Sequence, residues 1–266
     1  MSGPRACRRR RVMPEAPQPP APPPAAPPPP AVPPPPHLQA HDVPWRNALA
    51  WYQDALRLVK RAPAMWGALA FLTLATEIAL ELVPEVGPML GKIVVPLVAC
   101  GMLYAAAAAD RGEAPALRHA VAAFRASAPA IVAVVAAGLL TFAAEAFAAW
   151  WVADANLLAA ASGALSVPQV GGIYAIGILA SLPVTFVPCH VLFEQVGVGA
   201  AFAASWNAFV RNTAPLLVYA AASLVLLGFG LATMGIGLLV VLPLWAASSY
   251  AAWKDVFGVR DAPAAG

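Results

Sequence analysis

Three glutamates stand in or at the edge of long apolar stretches: Glu77, Glu81 and Glu145. Glu77 and Glu81 are four residues apart, which puts them on one face of a helix. Glu77 follows Pro63 by 14 residues and Glu145 follows Pro129 by 16, so two apolar segments carry an acid at similar depth. Carboxyls in such surroundings are candidate proton or ion sites, because burial favours either the neutral acid or a cationic partner. Lys92 could pair with them, and the bland alternative is a structural polar site solvated at the membrane interface. Fourteen helical residues rise about 21 Å, which sets these acids toward the far headgroups.

Other reactive residues form no constellation. Cys189 and His190 are adjacent, but with no second pair they make a poor metal site. His119, beside Arg118, reads as a solvated residue on the polar face of an interfacial helix. The cysteines, Cys7, Cys100 and Cys189, are odd in number and share no motif spacing, so no disulfide framework follows. There is no P-loop, dinucleotide fingerprint, HExxH or Gly-x-Ser-x-Gly. The reading therefore contains no catalytic residue, no metal site and no cofactor, and a non-enzymatic role is the expectation.

The elements that position these groups follow from composition. Of 266 residues, 61% are hydrophobic and 11% charged, and mean hydropathy is +0.71. Soluble domains carry about 25% charge, so a bilayer is the solvent that this chain suits. The expected fold is all-α, a six-transmembrane-helix bundle with spans near 64–83, 88–109, 129–152, 170–193, 215–234 and 235–253. Each is close to the roughly 20 residues that a 30 Å hydrocarbon core requires. From Pro215 to Trp253 no residue is charged over 39 positions, too long for one crossing, so a hairpin near Thr233–Gly237 is required. Trp66, Trp150, Trp151 and Trp253 fall near span ends, where indoles anchor at the interface.

Residues 1–44 hold 17 of the 29 prolines and read as a disordered, polyproline II tail, a spacer or a docking segment for protein partners. Five arginines, Arg5 and Arg8–Arg11, precede the prolines; no aromatic base-stacking platform accompanies them, so no nucleic acid is an expected partner. Met13 is an alternative start. Residues 45–258 form the transmembrane domain, and 259–266 a flexible C-terminus. The segment from Trp45 is an amphipathic helix with a basic face, suited to the interface. Arg46, Arg57, Lys60, Arg61, Arg111, Arg118, Arg125, Arg211, Lys254 and Arg260 flank one side of the spans, whereas Lys92 is alone on the other. Both termini are then cytoplasmic.

One unit recurs three times, over about 45–112, 113–197 and 198–258. Each joins an amphipathic helix, an Ala-Pro entry (LVKRAP, FRASAP, VRNTAP), an outbound span and a proline-bearing return span. Proline at a helix start forfeits no needed donor. The stretches Val43–Trp66, Ser205–Tyr219 and Gly235–Phe257 resemble an uncharacterised family of proteobacterial multi-pass inner-membrane proteins. That family is distantly similar to the membrane-domain superfamily associated with glycerophosphodiester phosphodiesterases, whose catalytic domain has no counterpart here. The likeness covers about 43–258 and rests on Asn212, Pro215 and Tyr219, with Pro243, Tyr250, Trp253, Lys254, Asp255 and Phe257 at the end. It implies architecture and a bacterial inner (cytoplasmic) membrane, not an activity. The functional expectation is a module that organises membrane lipid or protein partners through its tail or interfacial helices. The alternative is a small-solute or ion-coupled transporter that uses the intramembrane carboxylates.

Overall fold

The computed structural model describes residues 38–157 and 165–260, and most of the proline-rich tail, residues 1–37, lies outside the described residues, as do 158–164 and 261–266. Among the described residues the fold is all-α, with no strand. The helices are α1 Asn47–Lys60, α2 Pro63–Glu81, α3 Gly87–Asp110, α4 Ala128–Ala153, α5 Val167–Ser181, α6 Val187–Phe193, α7 Val198–Arg211, α8 Thr213–Ala232 and α9 Leu238–Phe257. A 3-10 helix, Leu117–Arg125, precedes α4, and a shorter one, Leu182–Val184, joins α5 to α6.

Among the described residues, five segments are long and apolar enough to cross a membrane: Pro63–Glu81, Gly87–Asp110, Ala128–Ala153, Val167–Val184 and Thr213–Ala232. α9 is as long as α8, but Ser248, Ser249, Lys254 and Asp255 dilute its apolar character, and it is not among the five. Of the entry prolines, Pro63 opens α2, Pro129 is the second residue of α4 and Pro215 the third of α8, all in first turns where the missing N–H has no partner to lose. Pro168 of α5, not among the expected entries, is placed in the same way.

The stretch expected as one helix over 170–193 is broken instead. Pro183 and Pro188 each remove a helical donor, and the chain passes through a 3-10 turn between α5 and α6. The neighbouring α7 covers the gap: Ser205, fully buried, accepts the Phe186 N–H at 3.2 Å. A side chain from another helix thus satisfies a backbone group that lipid could not.

The helices close on themselves. α2 packs on α3, α4 on α5, and α5 on α8, while α9 returns to lie against α1, α2 and α3. At one end this closure is polar. The Asp255 carboxylate accepts hydrogen bonds from Asn47 Nδ2 and Trp51 Nε1 of α1, both at 2.8 Å. Asp110, the last residue of α3, receives the Tyr250 hydroxyl at 2.9 Å and the Lys254 ammonium at 2.5 Å. Arg61 donates to the Ala109 carbonyl at 2.6 Å. Residues 38–44, assigned above to the tail, are tied down as well. His41 N–H donates to the Val256 carbonyl, and the Asn212 amide accepts from Val43 N–H and donates to the His41 carbonyl.

Two expectations are corrected by packing. Trp66 and Trp253 are fully buried rather than interfacial; Trp150 and Trp151 are exposed and cluster with Phe147. His119 is buried, not solvated, because Gly101 of α3 lets the 3-10 helix approach in backbone contact. A Cβ at Gly101 would come within 2.5 Å of Ala120 Cα and 2.6 Å of the His119 carbonyl oxygen. Burial, followed by the charge of Arg118, holds the His119 pKa below its ordinary value of 6.5, and its Nδ1 accepts the Ala116 N–H at 3.2 Å.

Asp255→Ala orphans two donors and should cost about 1–3 kcal/mol for each that stays buried. Asp255→Asn, which keeps an acceptor oxygen, should cost less. Thermal unfolding in detergent checks the order, and equal stability of Asp255→Ala and wild type would refute it. For His119 the folded pKa is the lower one, so protons favour the unfolded chain. Its stabilisation is full above pH 6.5 and is lost as pH falls through the folded value. A His119→Gln variant should flatten the decline in melting temperature between neutral and mildly acidic pH.

Candidate functional site

Helices α2, α3 and α4 bring the four sequence-predicted polar residues to one place. Glu77, Glu81, Lys92 and Glu145 line a single pocket of about 150 Å³, walled by Phe142 and Tyr174 among others. The two α2 carboxyls share a face one turn apart, and the pairing of α2 with α3 sets Lys92 opposite. The Lys92 ammonium rests 4.7 Å from the centre of the Phe142 ring.

Glu145 is held by a glycine. Its side chain lies against Gly177 of α5, where an added Cβ would overlap the carboxyl. The absence of a side chain at Gly177 leaves the recess between α4 and α5 in which the Glu145 carboxyl rests.

A second, larger space begins where the first ends. A cleft of about 420 Å³ runs between α3, α4, α5, α8 and α9, and Glu145 and Tyr174 line both spaces. Its walls are largely apolar, but Thr141, Ser181, Thr185, Tyr219, Ser223 and Ser249 add hydroxyls. Small-molecule sites span about 300–1,000 Å³ and combine apolar walls with a few polar groups; the cleft has that character. Trp245 also lines it, and its buried indole N–H has no hydrogen-bond partner among the described residues.

Helix α1 packs against the hydroxyl-rich end. The Tyr52 hydroxyl lies 2.6 Å from Ser223 Oγ and 3.3 Å from the Tyr219 carbonyl. Its ring stacks on Tyr219 at 5.3 Å between centroids, and Trp51 meets Tyr219 edge-on at 6.0 Å. Burial pushes the Tyr52 phenol well above its ordinary range, so the group remains a neutral donor.

At the α1–α9 end several charged groups are spent on structure. A groove of about 550 Å³ between α1 and the end of α9 is lined by several charges. Arg57 is paired with Asp54, however, Lys254 with Asp110, and Arg61 with a carbonyl. The resemblance positions belong mainly to this scaffold: Asn212 clamps residues 41–43, and Tyr250, Lys254 and Asp255 hold α3 and α1. Pro215 and Pro243 are buried in α8 and α9. Trp253 and Phe257 pack edge-on to fully buried His190, whose Nδ1 lies 2.5 Å from Glu194. Only Tyr219 of that set reaches the cleft. Among the described residues, no group of three His, Cys, Asp or Glu side chains could hold a metal ion.

Sequence reasoning passed over Tyr52, Tyr174, Ser223 and Trp245 as site residues. One signal was available, since Tyr219 and Ser223 are four apart on one face of an apolar helix.

Gly177→Ala should leave stability within about 1 kcal/mol, because the flexible end of Glu145 can swing aside. Pushed from its recess, the carboxyl should react several-fold faster with a hydrophobic carbodiimide, read by peptide mass spectrometry; an unchanged rate would contradict the recess. Compared with protein-family models, curated proteins and solved structures, the chain matches none.

Proposed function

We propose that the chain is a bacterial inner-membrane carrier that moves a small solute in exchange for, or together with, protons bound at Glu145. The observation that carries this reading is the place of Glu145, which lines both the outer carboxylate pocket and the cleft. A carboxyl so placed can meet the outer solution through one space and a bound solute through the other. Intramembrane acids are costly and persist where they serve ion or proton movement.

In this reading the membrane is crossed six times. α5 and α6 together form a broken fourth span, and α9 is the sixth, with its charged last turn at the cytoplasmic surface. The three tandem units are α1–α3, the longer 3-10 helix with α4–α6, and α7–α9. Their support is the recurring order of interfacial helix, proline-started helix and proline-interrupted return, with Pro96 inside α3 and Pro243 inside α9. Cytoplasmic termini are supported by the clustering of Arg61, Lys254 and Arg211 around α1, the α3 terminus and residues 41–43. Lys92 lies with the glutamates in the separate outer pocket.

A role in organising lipid or partner proteins draws on a different observation, the exposed aromatic and apolar face of α7 at Trp206 and Val210. The two readings part in reconstituted liposomes. With an imposed pH gradient and a panel of amines, amino acids and carboxylates, one class should collapse the gradient faster than in protein-free vesicles. Glu145→Gln should slow that collapse at least tenfold. If no solute class moves protons through the wild-type protein, the carrier reading fails and the organising module takes its place.

A further inference from the structure

Resting on the carrier reading, the chemistry of the cleft also narrows its substrate: we propose that it takes a hydrophobic organic cation, bound against the Glu145 carboxylate in place of that group's proton. Among the described residues that line the cleft, Glu145 is the only carboxylic acid, and no Lys, Arg or His lines it. Three aromatic side chains, Tyr174, Tyr219 and Trp245, line the same walls. Aromatic faces attract cations through the ring quadrupole, most strongly where water is excluded. A carboxylate and aromatic rings in an apolar enclosure form a site for an ammonium with hydrocarbon substituents.

The approach has the same bias. The outer pocket presents Glu77 and Glu81 before Glu145 is reached, three carboxyls against one lysine. That lysine supplies an internal example of the binding mode, since its ammonium lies over the Phe142 ring beside the glutamates. An anion would pass three carboxyls and find no basic group in the cleft. The cleft volume of about 420 Å³ suits a cation built around one aromatic ring.

Exchange at the carboxyl balances simply. The protonated acid and a free cation give a carboxylate–cation pair and one released proton, with no bond formed other than the ion pair. The titratable and charged groups lining the two spaces around Glu145 are Glu77 and Glu81 of α2, Lys92 and Cys100 of α3, Tyr174 of α5 and Tyr219 of α8.

The test uses the full-length protein in lipid nanodiscs with benzyltrimethylammonium, which has no exchangeable proton. Any proton released on its addition, followed with an indicator dye in weak buffer, comes from the protein. Up to one proton should appear per cation bound, and affinity should weaken by about tenfold per pH unit once the carboxyl is protonated. Glu145→Gln should abolish the release and weaken binding at least tenfold. Should that variant unfold, Glu145→Asp keeps the charge and should retain proton release at lower affinity. Trp245→Leu should weaken binding several-fold yet preserve the proton released per cation bound. Benzenesulfonate or benzyl alcohol binding as well as the cation would overturn the proposal, as would undiminished cation binding to Glu145→Gln. If the cation fails to bind while another solute class still shows Glu145-dependent proton exchange, the substrate assignment falls and the carrier reading stands. If neither occurs, both fall.

Discussion

The fold depends on neutralising the charged last turn of α9. Asp255 lies at the negative end of that helix, where the backbone dipole disfavours an anion, and Asp110 has the same problem at the end of α3. Both are relieved by partners brought from elsewhere in the chain. Asn47 and Trp51 donate to Asp255, and Tyr250 and Lys254 donate to Asp110. These bonds join residues more than 100 positions apart, so they can form only when the last helix has returned to the first. Packing between apolar helices in lipid lacks the hydrophobic drive that selects partners in water. A polar clasp at the interface therefore supplies specificity that the apolar faces lack.

The clasp also explains why the motif residues at the end of the chain are spent on architecture. Tyr250, Trp253, Lys254, Asp255 and Phe257 face α1, α3 or the buried His190, and Asn212 secures the segment before α1. A resemblance built on such positions is silent about chemistry. The cleft with its one carboxyl, Glu145, is lined from other helices, α4, α5 and α8 among them.

What was legible in the sequence was what depends on one helix at a time. Apolar runs of membrane length, proline entries and the pairing of Glu77 with Glu81 could each be read from local spacing. The break after Ser181 was visible as Pro183 and Pro188, but whether such a site kinks or breaks depends on whether Ser205 is there to accept the freed N–H. Likewise, nothing local distinguishes buried Trp66 from exposed Trp151, and His119 is buried only because Gly101 admits it. The similar depth of Glu145 and the α2 carboxyls was legible from spacing, but that they line one pocket was not. The glycine that makes room for Glu145, Gly177, stands on the next helix, and no local spacing points to their contact.

The same helix that fastens the end of the bundle also packs against the hydroxyl-rich end of the cleft. Trp51 and Tyr52 are consecutive on α1, and on a helix their side chains diverge by about 100°. Trp51 donates to Asp255 while its ring edge meets Tyr219; Tyr52 stacks on Tyr219 and reaches Ser223. The inner end of the cleft is thus held by a surface helix that is itself held by the α9 clasp. A movement of α1 sufficient to part Tyr52 from Ser223 would strain the bonds to Asp255, and loosening those bonds would free the hydroxyl end of the cleft. Glu145 stands at the opposite end, against Gly177. Under the carrier proposed above, opening to one side at a time would call for separate control of the two ends. One end is governed by the Tyr52–Ser223 contact between α1 and α8 and the other by a carboxyl pressed against a glycine.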